Sequence, residues 1–220
     1  MLEPTAAQVE LQRRIEQARV IAVITLDRAE DAAPLGRALQ AGGVRAVELA
    51  LRTAAGLPAL QAMKAACPDL LIGAGTVLVE EQVRVVLAAG ADFAVSPGIN
   101  PRVVSAAREA GLAFAPGVCT PSDIEAALSL GCRLLKFFPA VPAGGLDYLN
   151  ASAAPYAHLG VRYVPLGGIA SNELGRWLQN EHVAGVGGSA LAPKDLIVGG
   201  RFDAIEARTR ETMAALPPAK

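Results

Sequence analysis

Residues 133–139 read Arg133-Leu134-Leu135-Lys136-Phe137-Phe138-Pro139. A short apolar run closed by proline suits a strand covered on both faces, the kind found in parallel sheets flanked by helices. Lys136 does not suit it. Lysine is almost never fully buried unless paired, and taking an ammonium out of water favours the neutral amine. Such an amine is a nucleophile that attacks carbonyls and forms a Schiff base. The competing reading is a lysine snorkelling past the end of its strand.

Outward from this strand the same unit repeats. Apolar, β-branched or short runs fall at 20–24, 44–51, 70–75, 92–96, 113–116, 134–138, 162–166 and 183–186. Helical periodicity follows each of them, at 28–41, 55–66, 79–89, 101–110, 121–130, 145–157, 171–179 and 201–215. Gly43, Gly90, Gly111, Gly131 and Gly160 stand where a helix should stop before a strand. An additional helix at 5–18 opens the chain, with Thr5 able to cap it. Eight strand–helix units imply an α/β fold, a compact (β/α)8 TIM barrel with an N-terminal extra helix, in one domain over 1–220. An open doubly wound sheet is the alternative, but no G-x-G-x-x-G follows the first strand. The tail 216–220 reads as frayed.

The totals narrow the function classes. The chain has 220 residues, 52% hydrophobic, and a formal net charge of −1. Its basic residues are scattered, which argues against a nucleic-acid or membrane-surface partner. Cys67, Cys119 and Cys132 form no C-x-x-C pair, which suits a reducing, cytoplasmic setting. No apolar run reaches the roughly 18 residues of a membrane span, and no signal peptide is read at the start. His158 and His182 lie far apart in polar surroundings, so neither a metal nor a cofactor is expected.

In such a barrel the site lies at the carboxyl ends of the strands. Alternation puts Glu48 inward with Val44, Ala46 and Ala50, as a carboxylate among small residues. Arg52 follows at the strand's end, then Thr53. The guanidinium can grip a carboxylate with two parallel hydrogen bonds, or it can neutralise Glu48. Thr76, grouped with Ile72 and Ala74, is expected to point into the mouth or to cap the next helix. Lys136 is expected inside the barrel, with Phe138 above it at the mouth. Gly167-Gly168 and Gly187-Gly188-Ser189 end the last two strands, the usual phosphate site of this barrel. A buried lysine, one carboxylate, an arginine with a threonine, and a phosphate cradle suit carbon–carbon cleavage of a phosphorylated 2-keto acid.

These segments resemble the 2-keto-3-deoxy-6-phosphogluconate (KDPG) and 4-hydroxy-2-oxoglutarate aldolases. The resemblance rests on Gly42-Gly43-Val44-Arg45 through Glu48, Leu51-Arg52-Thr53, Gly73-Ala-Gly-Thr-Val-Leu78, Ser96-Pro97-Gly98, Lys136-Phe-Phe-Pro-Ala140, Gly167-Gly168-Ile169 and Gly187-Gly188-Ser189. It implies a class I aldolase, usually a homotrimer, cleaving KDPG to pyruvate and glyceraldehyde 3-phosphate. It implies Lys136 as the Schiff-base residue and Glu48 as the general acid/base. Arg52 and Thr76 would bind the pyruvyl portion, with Thr53 and Pro97 in matched segments beside them. Gly167, Gly168, Gly188 and Ser189 fall in the matched segments of the phosphate end. The gluconate enzymes typically carry threonine before the Gly-Gly pair, where this chain has Leu166. An apolar residue there looks more like the galactonate-specific relatives, so both C4 epimers stay open. Ala190 stands where a tryptophan often follows Gly-Gly-Ser. Two other readings need different residues. A non-catalytic phosphosugar-binding barrel has no use for Lys136 and Glu48, and a barrel isomerase calls for a second strand-end acid or cysteine.

Overall fold

The structure is a computed structural model that describes residues 1–218. Helix α1 (Ala6–Ala18) begins at a reciprocal cap: the Gln8 N–H donates to Thr5 Oγ1 at 3.3 Å, and the Thr5 N–H donates to Gln8 Oε1 at 2.9 Å. Strands and helices then alternate. They are β1 (Val20–Ile24), α2 (Ala32–Ala41), β2 (Ala46–Ala50), α3 (Gly56–Ala66), β3 (Leu71–Gly75), α4 (Glu80–Ala88), β4 (Phe93–Val95), α5 (Pro101–Glu109), β5 (Ala113–Ala115), β6 (Gly117–Val118), α6 (Pro121–Ser129), β7 (Leu134–Phe137), α7 (Gly145–Ala153), β8 (Arg162–Pro165), α8 (Leu174–Leu178), β9 (Val186–Gly188), α9 (Lys194–Val198) and α10 (Phe202–Ala214). The five glycines read as helix stops all take left-handed φ, from 71° to 98°.

Every strand pair is parallel, in a six-stranded sheet ordered β5-β4-β3-β2-β1-β9 and a three-stranded sheet ordered β6-β7-β8. The ladder is thus not the single eight-stranded run that the sequence suggests. The strand expected at 113–116 splits at Pro116, which has no N–H to give a ladder: β5 pairs with β4, and β6 pairs with β7. The strand expected at 183–186 is seen at 186–188, because two glycines that read as loop pair with β1. Val183 makes only an isolated bridge with Tyr163. Helix α9 was not foreseen. The tail is not frayed through 217, since Leu216 packs on the core and Arg19 donates to the Pro217 carbonyl. Residues 219 and 220 lie outside the described part.

Two apolar clusters divide the strands by parity. The larger lies between sheets and helices and takes Val47, Leu49, Ile72, Ala74, Leu135 and Phe137. The smaller gathers Ile21, Ala46, Leu71, Phe93, Ala113 and Leu134, from both sheets. One cluster shared by both sheets means that they curl around a common interior. Leu11 and Ile15 of α1 belong to the same inner cluster. Among the described residues no helix is long and apolar enough to cross a membrane.

Candidate active site

Because all strands run parallel, their carboxyl ends share one side of the molecule. Lys136, on β7, and Glu48, on β2, both point into the interior. The Lys136 Nζ donates to Glu48 Oε1 at 2.9 Å, and the two residues are only 6% and 4% exposed. Removing either partner would strand the other in a poorly solvated place. The snorkelling alternative is excluded by this burial. The alternative in which Glu48 serves as partner of Arg52 is excluded by the partner it has. The Phe138 ring centroid lies 5.6 Å from Nζ, the aromatic face toward the cation.

Beneath the pair is an apolar cavity of about 20 Å³, bordered by Leu11, Ile15, Phe93 and Leu134. It has room for no more than about one water, and its lining offers almost nothing for water to bind. Attraction between charges is stronger here than at a surface.

The other expected residues lie around this centre at strand ends. Arg52 is exposed two positions after β2, and its guanidinium has no ion-pair partner among the described residues. The Thr53 hydroxyl donates to the Leu26 carbonyl just past β1, which ties the two loops together. Pro97 is exposed after β4, in a turn where Ser96 Oγ donates to the Gly98 carbonyl at 2.6 Å. Leu166 turns inward beside Val164 and borders the same cavity as Lys136. Gly167 and Gly168 take φ of 107° and 81°, which L side chains rarely adopt. Ser189 is exposed just past β9.

The expected face of β3 needs correction. Ile72 and Ala74 face the helices, while Leu71 belongs to the inner cluster, so the inward parity of β3 is Leu71, Gly73, Gly75. Thr76 is not placed by that parity. It has φ 64°, which breaks the alternation at the residue where the strand ends. On β9 the glycine that packing requires is Gly187, since a Cβ there would overlap Leu166, whereas one on Gly188 meets nothing nearer than 3.8 Å. Leu11, Ile15 and Phe93 were not anticipated around the site. The stripe on α1 was legible, but nothing in it says which surface it covers.

The family model described as KDPG and KHG aldolase matches residues 11–208. A 2-dehydro-3-deoxy-phosphogluconate aldolase of Treponema pallidum is 44% identical over 199 residues, 90% of this chain and 94% of that one. The structure resembles a KDPG aldolase from Legionella pneumophila holding pyruvate as a covalent carbinolamine. That similarity has TM-score 0.87 and 36% identity, and it covers 91% of this chain and 97% of the other. It also resembles the aldolase of Zymomonas mobilis with 3-phosphoglycerate, with TM-score 0.87, 33% identity, and coverage of 96% and 98%.

Proposed function

The chain belongs to the KDPG and KHG aldolase family, and from that premise we propose that it is a class I lyase that cleaves KDPG to pyruvate and glyceraldehyde 3-phosphate. The buried contact between Lys136 and Glu48 at 2.9 Å carries this reading. Lys136 attacks the 2-keto carbon and water leaves, giving the imine. The imine draws the electrons of the C3–C4 bond as a base takes the proton of the C4 hydroxyl. The aldehyde departs and an enamine of pyruvate stays on the lysine. Protonation at C3 and hydrolysis then release pyruvate. Glu48 is the group placed to move these protons. This chemistry uses only the chain's own side chains, with no bound cofactor or metal.

Arg52 and Thr76 hold the substrate carboxylate, and Thr53 holds the Arg52 loop against the end of β1. Pro97 and Phe138 shape the mouth. Gly167, Gly168, Gly188 and Ser189 receive the phosphate, largely through backbone N–H groups. We read the two sheets as one (β/α)8 barrel in a single domain, with α1 across its amino end. The backbone bonds of Tyr163 support closure: its N–H donates to the His182 carbonyl at 2.8 Å, and its carbonyl accepts from the Ala184 N–H at 2.9 Å. A cytoplasmic homotrimer completes the reading. Sedimentation should give three times the 22.6 kDa chain mass, and a single chain would refute it.

Incubation with pyruvate and borohydride should add one covalent adduct at Lys136, and Lys136→Ala should lose cleavage by at least about a thousandfold. An adduct on Lys64 or Lys194 would sink the assignment. A protein that binds phosphosugars and never traps would be the non-catalytic barrel.

The inward position of Leu166 favours a second substrate, the galactonate epimer. An apolar side chain discriminates by only about 1–3 kcal/mol, whereas a hydroxyl that reads a substrate hydroxyl discriminates strongly. Activity on both epimers is expected, shifting toward the gluconate form in Leu166→Thr. A gluconate-specific wild type unaffected by this change would place the control elsewhere.

A further inference from the structure

The inner face of β3 has no side chain beyond Leu71, because its next two positions are Gly73 and Gly75. Neither glycine takes a left-handed φ, so the backbone would accept any L residue at both. Glycine inside a strand costs stability and gives nothing to pack. What these positions require is empty space. A Cβ on Gly75 would overlap Glu48 Oε1 and stand 2.9 Å from Glu48 Cδ and Cγ. A Cβ on Gly73 would run into the Phe93 ring, which borders the cavity under the same pair. Lys136 is the only hydrogen-bond partner of the Glu48 carboxylate among the described residues.

We propose that Gly75 is a positioning residue: it leaves open the groove in which the Glu48 carboxylate lies, and so sets where that carboxylate stands relative to Lys136. With one hydrogen bond at its tip, the carboxylate takes its place from the shape of the groove. A methyl at position 75 would force it off that place by about 1 Å, the shortfall from ordinary van der Waals contact. Displacements of about 1 Å at a reacting centre can cost about a hundredfold in rate. Gly73 does the same service one layer down, for the Phe93 ring.

The test rests on the aldolase reading for its kinetic arm and is independent of it for its thermal arm. In Gly75→Ala, exchange of the pyruvate C3 proton should fall by about a hundredfold, while borohydride trapping at Lys136 persists. Shortening the acid should restore room, so Gly75→Ala with Glu48→Asp should exchange faster than Gly75→Ala alone. Wild-type exchange in a folded Gly75→Ala, or no recovery in the double variant, would overturn the proposal. The thermal arm compares melting temperatures. Gly75→Ala should lower Tm in the wild type but not in a Glu48→Ala background, where all three of the nearest clashing atoms are gone and alanine restricts the unfolded chain. An equal loss in both backgrounds would mean that Gly75 serves the strand and not the acid. This comparison decides even if Gly75→Ala alone does not fold. Failure of wild-type trapping would refute the aldolase reading and leave the thermal comparison standing.

Discussion

At the scale of single residues the central fact is a lysine whose burial is matched by one carboxylate. A lone Lys136 among Leu134, Phe93 and the apolar face of α1 would be costly, and Glu48 offsets that cost. In the proposed reaction the same contact is the reason for giving Glu48 the proton that must leave and return. Glu48→Gln should therefore keep imine trapping detectable while slowing pyruvate C3 exchange by about 10²–10⁴-fold. A folded variant with near wild-type exchange would return Glu48 to a structural role. Lys136 and Glu48 were legible in the sequence because a charged residue inside an apolar strand violates the burial rule so plainly. Thr76 was grouped with the wrong residues of β3 because alternation holds only while the backbone stays extended, and a left-handed φ ends it. Gly75 carries no side chain, so its contribution could be read only from what would collide with it.

At the scale of elements, the loops after β8 and β9 carry the proposed phosphate end. Gly167 and Gly168 take φ values that L side chains rarely adopt, and neither brings a side chain of its own to the turn. If N–H groups do most of the binding, Ser189→Ala should be mild, and substrates without phosphate should lose most of kcat/KM. Equal efficiency with and without phosphate would contradict this. On β9 the damaging change should be Gly187→Ala, which pushes Leu166, and not a small side chain at Gly188. Helix α1 is the second element with a task. Its Leu11 and Ile15 enter the inner cluster, so the floor of the interior that holds Lys136 and Glu48 is made by a segment that precedes the first strand. The helical stripe of α1 was visible in the sequence; its target was not, because periodicity names a face and never its partner.

For the whole molecule, buried acids set a limit at high pH. Burial pushes the Cys132 thiol from 9.0 up to about 11, against the lowering effect of its hydrogen bond from Gln8. Burial also raises the Tyr163 hydroxyl, which lies unpartnered in the outer cluster. Both groups keep their proton longer in the folded chain than in the unfolded one. Between about pH 9 and 11 the unfolded state therefore binds fewer protons, and stability falls as pH rises. Cys132 alone should account for a loss on the order of 2 kcal/mol across that window. Denaturant melts at pH 8, 9, 10 and 11 should show the decline, shallower in Cys132→Ala. A flat profile in the wild type would show that these groups ionise alike in both states.

The alternation of apolar runs with helix-length periodic segments, punctuated by glycine, was sufficient to determine a parallel α/β fold, because a strand buried on both faces needs helices above and below it. The lysine inside an apolar strand and the lone inward glutamate were sufficient to mark where chemistry should be sought. Only the tertiary structure decided that Pro116 divides a strand between two sheets, that α1 covers the interior from below, and that Glu48 pairs with Lys136 rather than Arg52. Local pattern records which face of an element is apolar and where a backbone can turn. Which surfaces meet, and how much room is left between them, depends on contacts between residues far apart in the chain, here 88 positions for the pair at the centre.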